Sequence, residues 1–478
     1  MGITIVGGGL AGSEAAWQAA SRGVPVRLFE MRPSRPTAVH KTDRLAELVC
    51  SNSFRGDKLD NAVGLLKEEM RRMGSLVMRA ADACRVPAGA ALAVDRDQFA
   101  QTMTDALAQH PLVTLVREEV TTIPESTERE PVILATGPLT SDALAEDVRR
   151  LVGQEYLYFY DAISPIVLAE SIDREKVFRQ SRWDRNVRLK PDATDDVASH
   201  PDGPACGVED GQGDYLNCPM TREEYERFYD AVIHAESATI HDFDKEKFFE
   251  GCLPIEVMAH RGVDTLRFGP MKPVGLLDPR TRRVPYAVVQ LRQDNIAGDH
   301  FSLVGFQTQL KWGEQERVLR RIPGLEQAEF VRFGMVHRNT YVNSPTVLTE
   351  TWQVRMRPSL FLAGQMSGVE GYVESAASGL MAGLTAAALV KGERIFSAPP
   401  TTAIGALAYY VSHANPAHYE PSNITFGIMP PLAAQEKSAR TKMARKTRNE
   451  LLAHRALTAL QQWMNERDSQ AVSAVSPA

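Results

Sequence analysis

The chain is short of several things. Five of its 478 residues are cysteine (Cys50, Cys84, Cys206, Cys218 and Cys252), an odd number with no C-x-x-C spacing. That excludes a disulfide framework and a zinc cluster, and it points to thiols in a reducing cytoplasm with no metal site. Neither sign of charge dominates: 54 Lys and Arg stand against 60 Asp and Glu, a formal net charge of -6. Any surface for a polyanion must then be a local patch. Apolar runs of roughly 18 to 20 residues, the length that crosses a bilayer, are missing. The N-terminal ITIVGGGLAG runs into glycines and a polar helix pattern rather than a signal-peptide cleavage region. The expectation is a globular cytoplasmic protein without a membrane partner. Its length and 44% hydrophobic content suit two or three domains.

What is present begins at the N-terminus. The β-branched run Ile3 to Val6 leads into Gly7, Gly8, Gly9, Leu10, Ala11 and Gly12, then into the helix-forming SEAAWQAASRG. A second strand, Val24 to Phe29, closes on Glu30, which lies 18 residues beyond Gly12. This is the order of a Rossmann-type dinucleotide site. Gly7 permits the turn, Gly9 lets the backbone approach a pyrophosphate, and Gly12 allows close packing of helix on strand. The helix N-terminus favours the negative charge, and Glu30 stands where a ribose-binding acid is expected.

The far end of the chain selects FAD over NAD. Val132 to Ala135 reads as a buried strand ending in a small-residue turn at Thr136 and Gly137. Residues 360 to 388 give a strand, a glycine-rich turn and a small-residue helix, with Gly364, Gln365, Gly368, Gly371 and Tyr372 at the turn. In flavoproteins with two dinucleotide folds such a segment passes the ribityl chain and the flavin. Close packing alone explains the Ala and Gly of the helix but not the three turn glycines together.

The two halves of this fold are separated by more than 200 residues, so an inserted domain is expected between them. The fold class is α/β: an FAD-binding Rossmann-type two-dinucleotide fold interrupted by an inserted α+β domain, with a C-terminal helical basic tail. The expected divisions are 1–155, an insert over 156–300, a return over 301–420, a basic helical segment over 421–466 and a disordered tail over 467–478. Residues 184–214 are rich in Asp, Gly and Pro and read as loop. Thr221 and Glu224 form a T-x-x-E capping box ahead of a helix whose stripe of Tyr225, Phe228, Tyr229, Val232 and Ile233 belongs to a core. From residue 435 a basic run holds Lys437, Arg440, Lys442, Arg445, Lys446 and Arg448, a pattern that is most often a solvated helix face.

Two cysteines differ from the rest by position. Cys50 closes a short apolar run ahead of a helix with an apolar row at Val63, Leu66, Met70 and Met73. Cys218 lies in DYLNCPM, held extended by Pro219, three residues before the Thr221 cap. A helix N-terminus lowers a thiol pKa and favours the reactive thiolate. The alternative, a small buried residue without chemistry, stays open for both.

The segments GGGLAGSEAAWQAA, LVCSNSFR, DYLNCPMT, HRGVDTLRFGPMKPVGL, MVHRNTYVNSP and GQMSGVEGYVESAASGLMAG occur in the order seen in the bacterial folate- and FAD-dependent tRNA (uracil-5-)-methyltransferases. The resemblance extends to about residue 450. It implies methylation of uridine 54 in the T loop of tRNA, with methylenetetrahydrofolate as carbon donor and FAD reduced by NADPH or NADH as electron source. No obligate protein partner is implied. It also implies Cys218 as nucleophile and Cys50 as proton acceptor, or the reverse order. Arg261, Arg267 and Lys272 become candidates for folate or RNA anions, Tyr341 for stacking on a pterin or base, and Lys437, Arg440 and Arg445 for tRNA phosphates. Two rivals are an FAD-dependent tRNA wobble-uridine modification protein, a longer family, and a non-catalytic flavin-containing RNA-binding protein.

Overall fold

The computed structural model describes residues 1–37, 39–153, 157–182, 213–237, 253–432 and 445–473. The chain divides into two compact units. The first takes residues 1–85, 90–159 and 338–478; the second takes 86–89 and 160–337.

The first unit is built on β1 (Ile3–Val6), β2 (Val26–Phe29), β3 (Ser53–Gly56), β4 (Ala91–Val94), β5 (Val113–Val116), β6 (Val132–Leu134), β7 (Gln353–Val354) and β8 (Arg357–Leu362). Its helices include α1 (Leu10–Ala20), α2 (Ala62–Arg72), α3 (Tyr372–Lys391), α4 (Ala403–His413) and α5 (Arg445–Ser473). Six strands form one sheet in the order β7-β8-β6-β1-β2-β5, parallel except for the edge strand β7. The central strands are short apolar runs because both faces are covered.

Helix α3 lies against α1, and small residues make that crossing close. A Cβ on Gly379 would stand 2.0 Å from the Ala11 carbonyl oxygen, and one on Gly383 2.5 Å from that of Ala15. Any larger side chain there pushes the helices apart. By length and composition α3 could cross a bilayer, contrary to the expectation from apolar runs, but 78% of its apolar window is buried inside the protein. It is a core helix.

The second unit carries a six-stranded sheet in the order Phe178–Arg179, Tyr215–Met220, Ala287–Gln293, His300–Leu303, Ile166–Leu168, Phe330–Arg332, with antiparallel pairing throughout. The expected α+β insert is therefore present, but it runs on to residue 337. The reason is pairing at long range: His300–Leu303 joins both Ala287–Gln293 and Ile166–Leu168. The capping box is formed, with the Thr221 hydroxyl accepting from Glu224 N and Glu224 Oε2 accepting from Thr221 N at 2.8 Å. Tyr225, Phe228 and Val232 are buried behind it.

The C-terminus differs from its expected disorder. Helix α5 continues to Ser473, because Leu452, Ala453, Ala456, Leu460 and Trp463 form a buried face on the first unit. Residues 474–478, most of the loop over 184–214, Cys206 and Cys252 lie outside the described residues.

Candidate functional site

Parallel pairing brings the ends of four strands to one edge of the first unit's sheet. Gly7 follows β1, Glu30 follows β2, Thr136 and Gly137 follow β6, and Gly364 follows β8. Gly7 has φ +103°, and a Cβ on it would meet the Ala135 carbonyl oxygen at 2.5 Å; a Cβ on Gly12 would stand 1.8 Å from the Gly7 oxygen. The turn is thus closed to any other residue at both positions. At Gly9 nothing lies within 4 Å of the Cβ position. The same holds at Gly137.

Helix caps make the point sharper. The helices that start after Asn61, Ser75, Asp95, Thr221 and Thr402 each have a side chain accepting a first-turn N–H. Helices α1 and α3 start at Gly9 and Gly371 with no side-chain cap. The helices after Ser141, Pro254 and Lys311 also lack a side-chain cap; what sets α1 and α3 apart is glycine at the cap, which lets an anionic, oxygen-rich ligand approach the first N–H groups closely. Glu30 sits beside them, buried, with Oε2 accepting from Gly8 N at 3.0 Å and Oε1 accepting from Arg32 N and Nε. Burial works against its charge, yet the Arg32 hydrogen bonds and guanidinium, with the Gly8 N–H, hold the carboxyl below the usual range. An ionised acid with lone pairs to spare is the partner that ribose hydroxyls need. These residues fit a dinucleotide such as FAD.

The late glycines have separate tasks. Gly368 lies under Tyr419, whose hydroxyl oxygen would stand 2.1 Å from a Cβ; Gly371 has φ +106° over Glu374. Gln365 Nε2 donates to Glu370 Oε2 at 2.8 Å, and Leu10 and Ala11 carry the start of α1. A cavity of about 800 Å³ opens at the other end of α1, among Trp17, Arg22, Lys391, Trp463 and Arg467; none of the sequence-predicted site residues line it.

Tyr372, expected to touch the cofactor, is turned to the Cys50 loop. Its hydroxyl oxygen accepts from Cys50 N at 2.7 Å and Ser51 N at 3.1 Å. Further pins fix the same loop. Arg96 Nη1 donates to Leu48 O at 2.9 Å, buried Asn52 donates to Val94 O at 3.0 Å, and Lys67 Nζ donates to the Phe54 and Arg55 carbonyls at 3.1 Å. Arg55 holds a left-handed φ of +61° and pairs with buried Glu374 on α3. Cys50 itself is partly exposed. It is not at a helix N-terminus as expected, since α2 begins only at Ala62 and is capped by Asn61. The row Val63, Leu66, Met70 and Met73 is buried as predicted.

Cys218 is extended and three residues before the Thr221 cap, as expected, but its side chain is sealed from solvent. It lies in the middle of Tyr215–Met220, paired with Val289 and 0% exposed in the apolar core of the second unit. Burial, with a smaller push from Glu326, drives its thiol far above the ordinary range. The sequence carried the signal: Leu216, Cys218 and Met220 alternate with Asn217, and all three face the core. Tyr341 is also core rather than platform, 4% exposed and packed on Tyr419 with ring centroids 6.1 Å apart; burial pushes its phenol up to about 12. Arg267 donates Nε to the Tyr286 carbonyl at 2.8 Å and lies 4.0 Å over its ring. Arg261 is exposed and Lys272 half-exposed. Arg445, Lys446 and Arg448 are exposed on α5, while Lys437, Arg440 and Lys442 fall outside the described residues. Residues that sequence reasoning missed are Asn52, Arg55, Lys67 and Glu374; Asn52, Arg55 and Glu374 stand within segments that carried the resemblance.

The family described as Glucose inhibited division protein A matches residues 2–394. A Methylenetetrahydrofolate--tRNA-(uracil-5-)-methyltransferase TrmFO of Desulforudis audaxviator is 58% identical, over 98% of this chain and 99% of that one. A protein of the same name from Anoxybacillus flavithermus is 55% identical, over 98% and 100%. Among solved structures, Aquifex aeolicus GidA in its form I crystal matches with a TM-score of 0.66 at 18% identity, over 96% of this chain and 75% of that one, a likeness of fold. The bare-glycine cradle, the interrupted sheet and near full-length identity agree: the chain belongs to the Glucose inhibited division protein A family, in the branch of the TrmFO methyltransferases.

Proposed function

We propose that this chain methylates C5 of uridine 54 in the T loop of tRNA, in the cytoplasm, with methylenetetrahydrofolate as carbon donor and NADPH or NADH as reductant of its FAD. What carries the reading is a dinucleotide cradle and a partly exposed thiol on one unit, in a chain 58% identical to a protein named for folate-dependent tRNA uracil-5 methylation. The bare start of α1 and Gly9 would hold the pyrophosphate, Glu30 the ribose, and the start of α3 the flavin. Bound and reduced, FAD supplies the hydride that turns a transferred methylene into a methyl group.

Uracil C5 is a weak nucleophile until a thiolate adds to C6, which moves the C5–C6 electron pair onto the C4 oxygen. The resulting enolate attacks the methylene carbon through C5. A base then takes the C5 proton as the folate nitrogen leaves with its electron pair, giving an exocyclic methylene; hydride added to that carbon makes the methyl group and expels the sulfur from C6, which restores the C5–C6 double bond. The resemblance gives Cys218 as nucleophile and Cys50 as acceptor of the C5 proton, or the reverse order; Cys50 is the partly exposed thiol, on the unit that carries the dinucleotide cradle, and Cys218 is the buried one, on the other unit. Arg261 and Lys272 remain candidates for folate carboxylates, and the exposed Arg445 face, with Lys437 and Arg440 of the same run, for tRNA phosphates.

The test is incubation with unmodified tRNA, methylenetetrahydrofolate and NADPH, reading 5-methyluridine by nucleoside mass spectrometry. Absence of T-loop methylation in flavin-loaded protein would sink the reading. No methyl incorporation at all would favour the wobble-uridine modification or the non-catalytic reading.

A further inference from the structure

The second unit turns one aromatic ring to solvent beside a cluster of cations. The short helix Thr265–Phe268 buries Leu266 in the core at 0% exposure. Two residues on, about 200° around the helix, Phe268 is thrown outward and stands 75% exposed. Its backbone is fixed, with Phe268 N donating to Asp264 O at 3.0 Å and Met271 N returning to Leu266 O at 2.9 Å. The Arg267 guanidinium stands 4.0 Å over the Tyr286 ring and 5.9 Å from the Phe268 ring centre, and its Nε donates to the Tyr286 carbonyl. Val263, Val274 and Val284 are exposed in the same segment.

The charge of this segment runs against that of the chain. Residues 261–286 hold six Lys and Arg against two Asp, within a protein of net charge -6. Of the two acids, Asp278 is buried on Arg280 at 3.1 Å, and Asp264 lies 3.8 Å from Arg267. Neither carboxylate pairs with Arg282 or Arg283, which are both exposed. These two arginines precede Tyr286 by four and three residues, so no more than about 14 Å of chain separates them from the ring under Arg267. Arg282 takes a left-handed φ of +54°, a conformation that favours glycine or asparagine, and the turn keeps a cation there all the same. An exposed ring, a guanidinium fixed over a second ring and free cations nearby form the arrangement on which an unpaired nucleobase stacks while its phosphates pair. A single-stranded RNA segment supplies the flat apolar face and the negative charge together.

Resting on tRNA as the substrate proposed above, we propose that Phe268, with the Arg267–Tyr286 pair, is a stacking platform for an unpaired base of the T loop, and that Arg282 and Arg283 take the phosphates beside it. A duplex hides the faces of its bases, so the platform selects loop over stem. Its role is recognition, not chemistry.

The experiment is binding of the flavin-loaded protein to a fluorescent T-arm stem-loop RNA and to the blunt duplex of its stem, by anisotropy across salt concentrations. Phe268→Ala should weaken stem-loop binding about tenfold or more and leave the duplex unchanged. The slope of log Kd against log salt should stay the same, since the ring carries no charge. Phe268→Trp should restore the affinity. The double variant R282Q/R283Q should lower that slope by about 1 to 2 for both RNAs. With 5-iodouridine in the loop, irradiation should join the RNA to the peptide that carries Phe268, read by mass spectrometry. Unweakened stem-loop binding by Phe268→Ala, an equal loss for both RNAs, or a crosslink absent from that peptide would overturn the proposal. None of these readings needs folate, reductant or methyl transfer. A failed methylation assay with the platform intact counts against the proposed reaction alone; a failed platform with methylation intact counts against this inference alone.

Discussion

Cys50 and Cys218 occupy opposite surroundings. One stands partly exposed on a loop whose carbonyls and amides are taken by Arg96, Asn52, Lys67 and Tyr372; the other lies in a sheet whose neighbours are apolar. Polar pins hold a thiol in place without removing water from it. Apolar packing removes the water and leaves the neutral thiol. The difference teaches that being extended, polar-flanked and near a helix cap does not by itself leave a cysteine exposed; the partners of its strand decide.

The largest effect that can break this contrast is covalent capture. RNA bearing 5-fluorouridine at the target position blocks proton loss from C5 and traps a thiol adduct. One of Cys50→Ala and Cys218→Ala should abolish the adduct and lower methylation by more than about 10³-fold, as for a removed nucleophile, while the other retains the adduct on denaturing gels. Loss in Cys218→Ala alone would show that burial in the resting sheet does not silence that thiol, and retention in both would overturn the assignment of the nucleophile to either. Next in size, Lys67→Met strands the Phe54 and Arg55 carbonyls and should cost about 2–3 kcal/mol in urea unfolding. It should also leave Arg55 without support for its left-handed backbone. Cys218→Ser tests the other side, since a hydroxyl in that core should destabilise by about 1–3 kcal/mol; a neutral result would mean the strand is wetter than its 0% exposure suggests.

The smallest effect treats the two units alike. Each buries one carboxyl that burial pushes up to about 7: Glu69, against the Ala403 and Ile404 N–H groups, and Glu256, against Thr308 and Gln309. In the folded protein both keep protons that the unfolded chain has lost above pH 4.5. Their contribution to stability is therefore complete below that pH and lost as pH rises towards about 7. Glu69→Gln and Glu256→Gln should each flatten the fall in melting temperature over that window, an effect on the order of 1–2 kcal/mol. A fall that survives both substitutions would place it elsewhere.

Local chemistry was readable in the sequence. Glycine spacing, the distance to Glu30 and the Thr221 box depend on neighbours within one turn or one strand–helix unit, and all stand as expected. What was misplaced depended on partners far along the chain. Cys218 faces Val289, the insert is prolonged by pairing of residues 300–303 with 166–168, and Tyr341 packs on Tyr419. Tyr372 is expected at the cofactor from its glycine-rich segment; that its hydroxyl also takes the N–H groups of Cys50 and Ser51, more than 320 residues earlier, is announced by no local pattern.

The crossing of α1 and α3 has a consequence for synthesis. The glycine turn and α1 leave the ribosome first, but Gly379 and Gly383, which close the seam on Ala11 and Ala15, follow some 360 residues later. At about 5–20 residues per second the nascent N-terminus waits on the order of 20 to 70 s with its helix uncovered. The insert meanwhile has all of its strands. A nascent chain arrested at residue 371 should therefore protect the insert from protease while leaving residues 1–85 open to cleavage, and only the addition of α3 should close them.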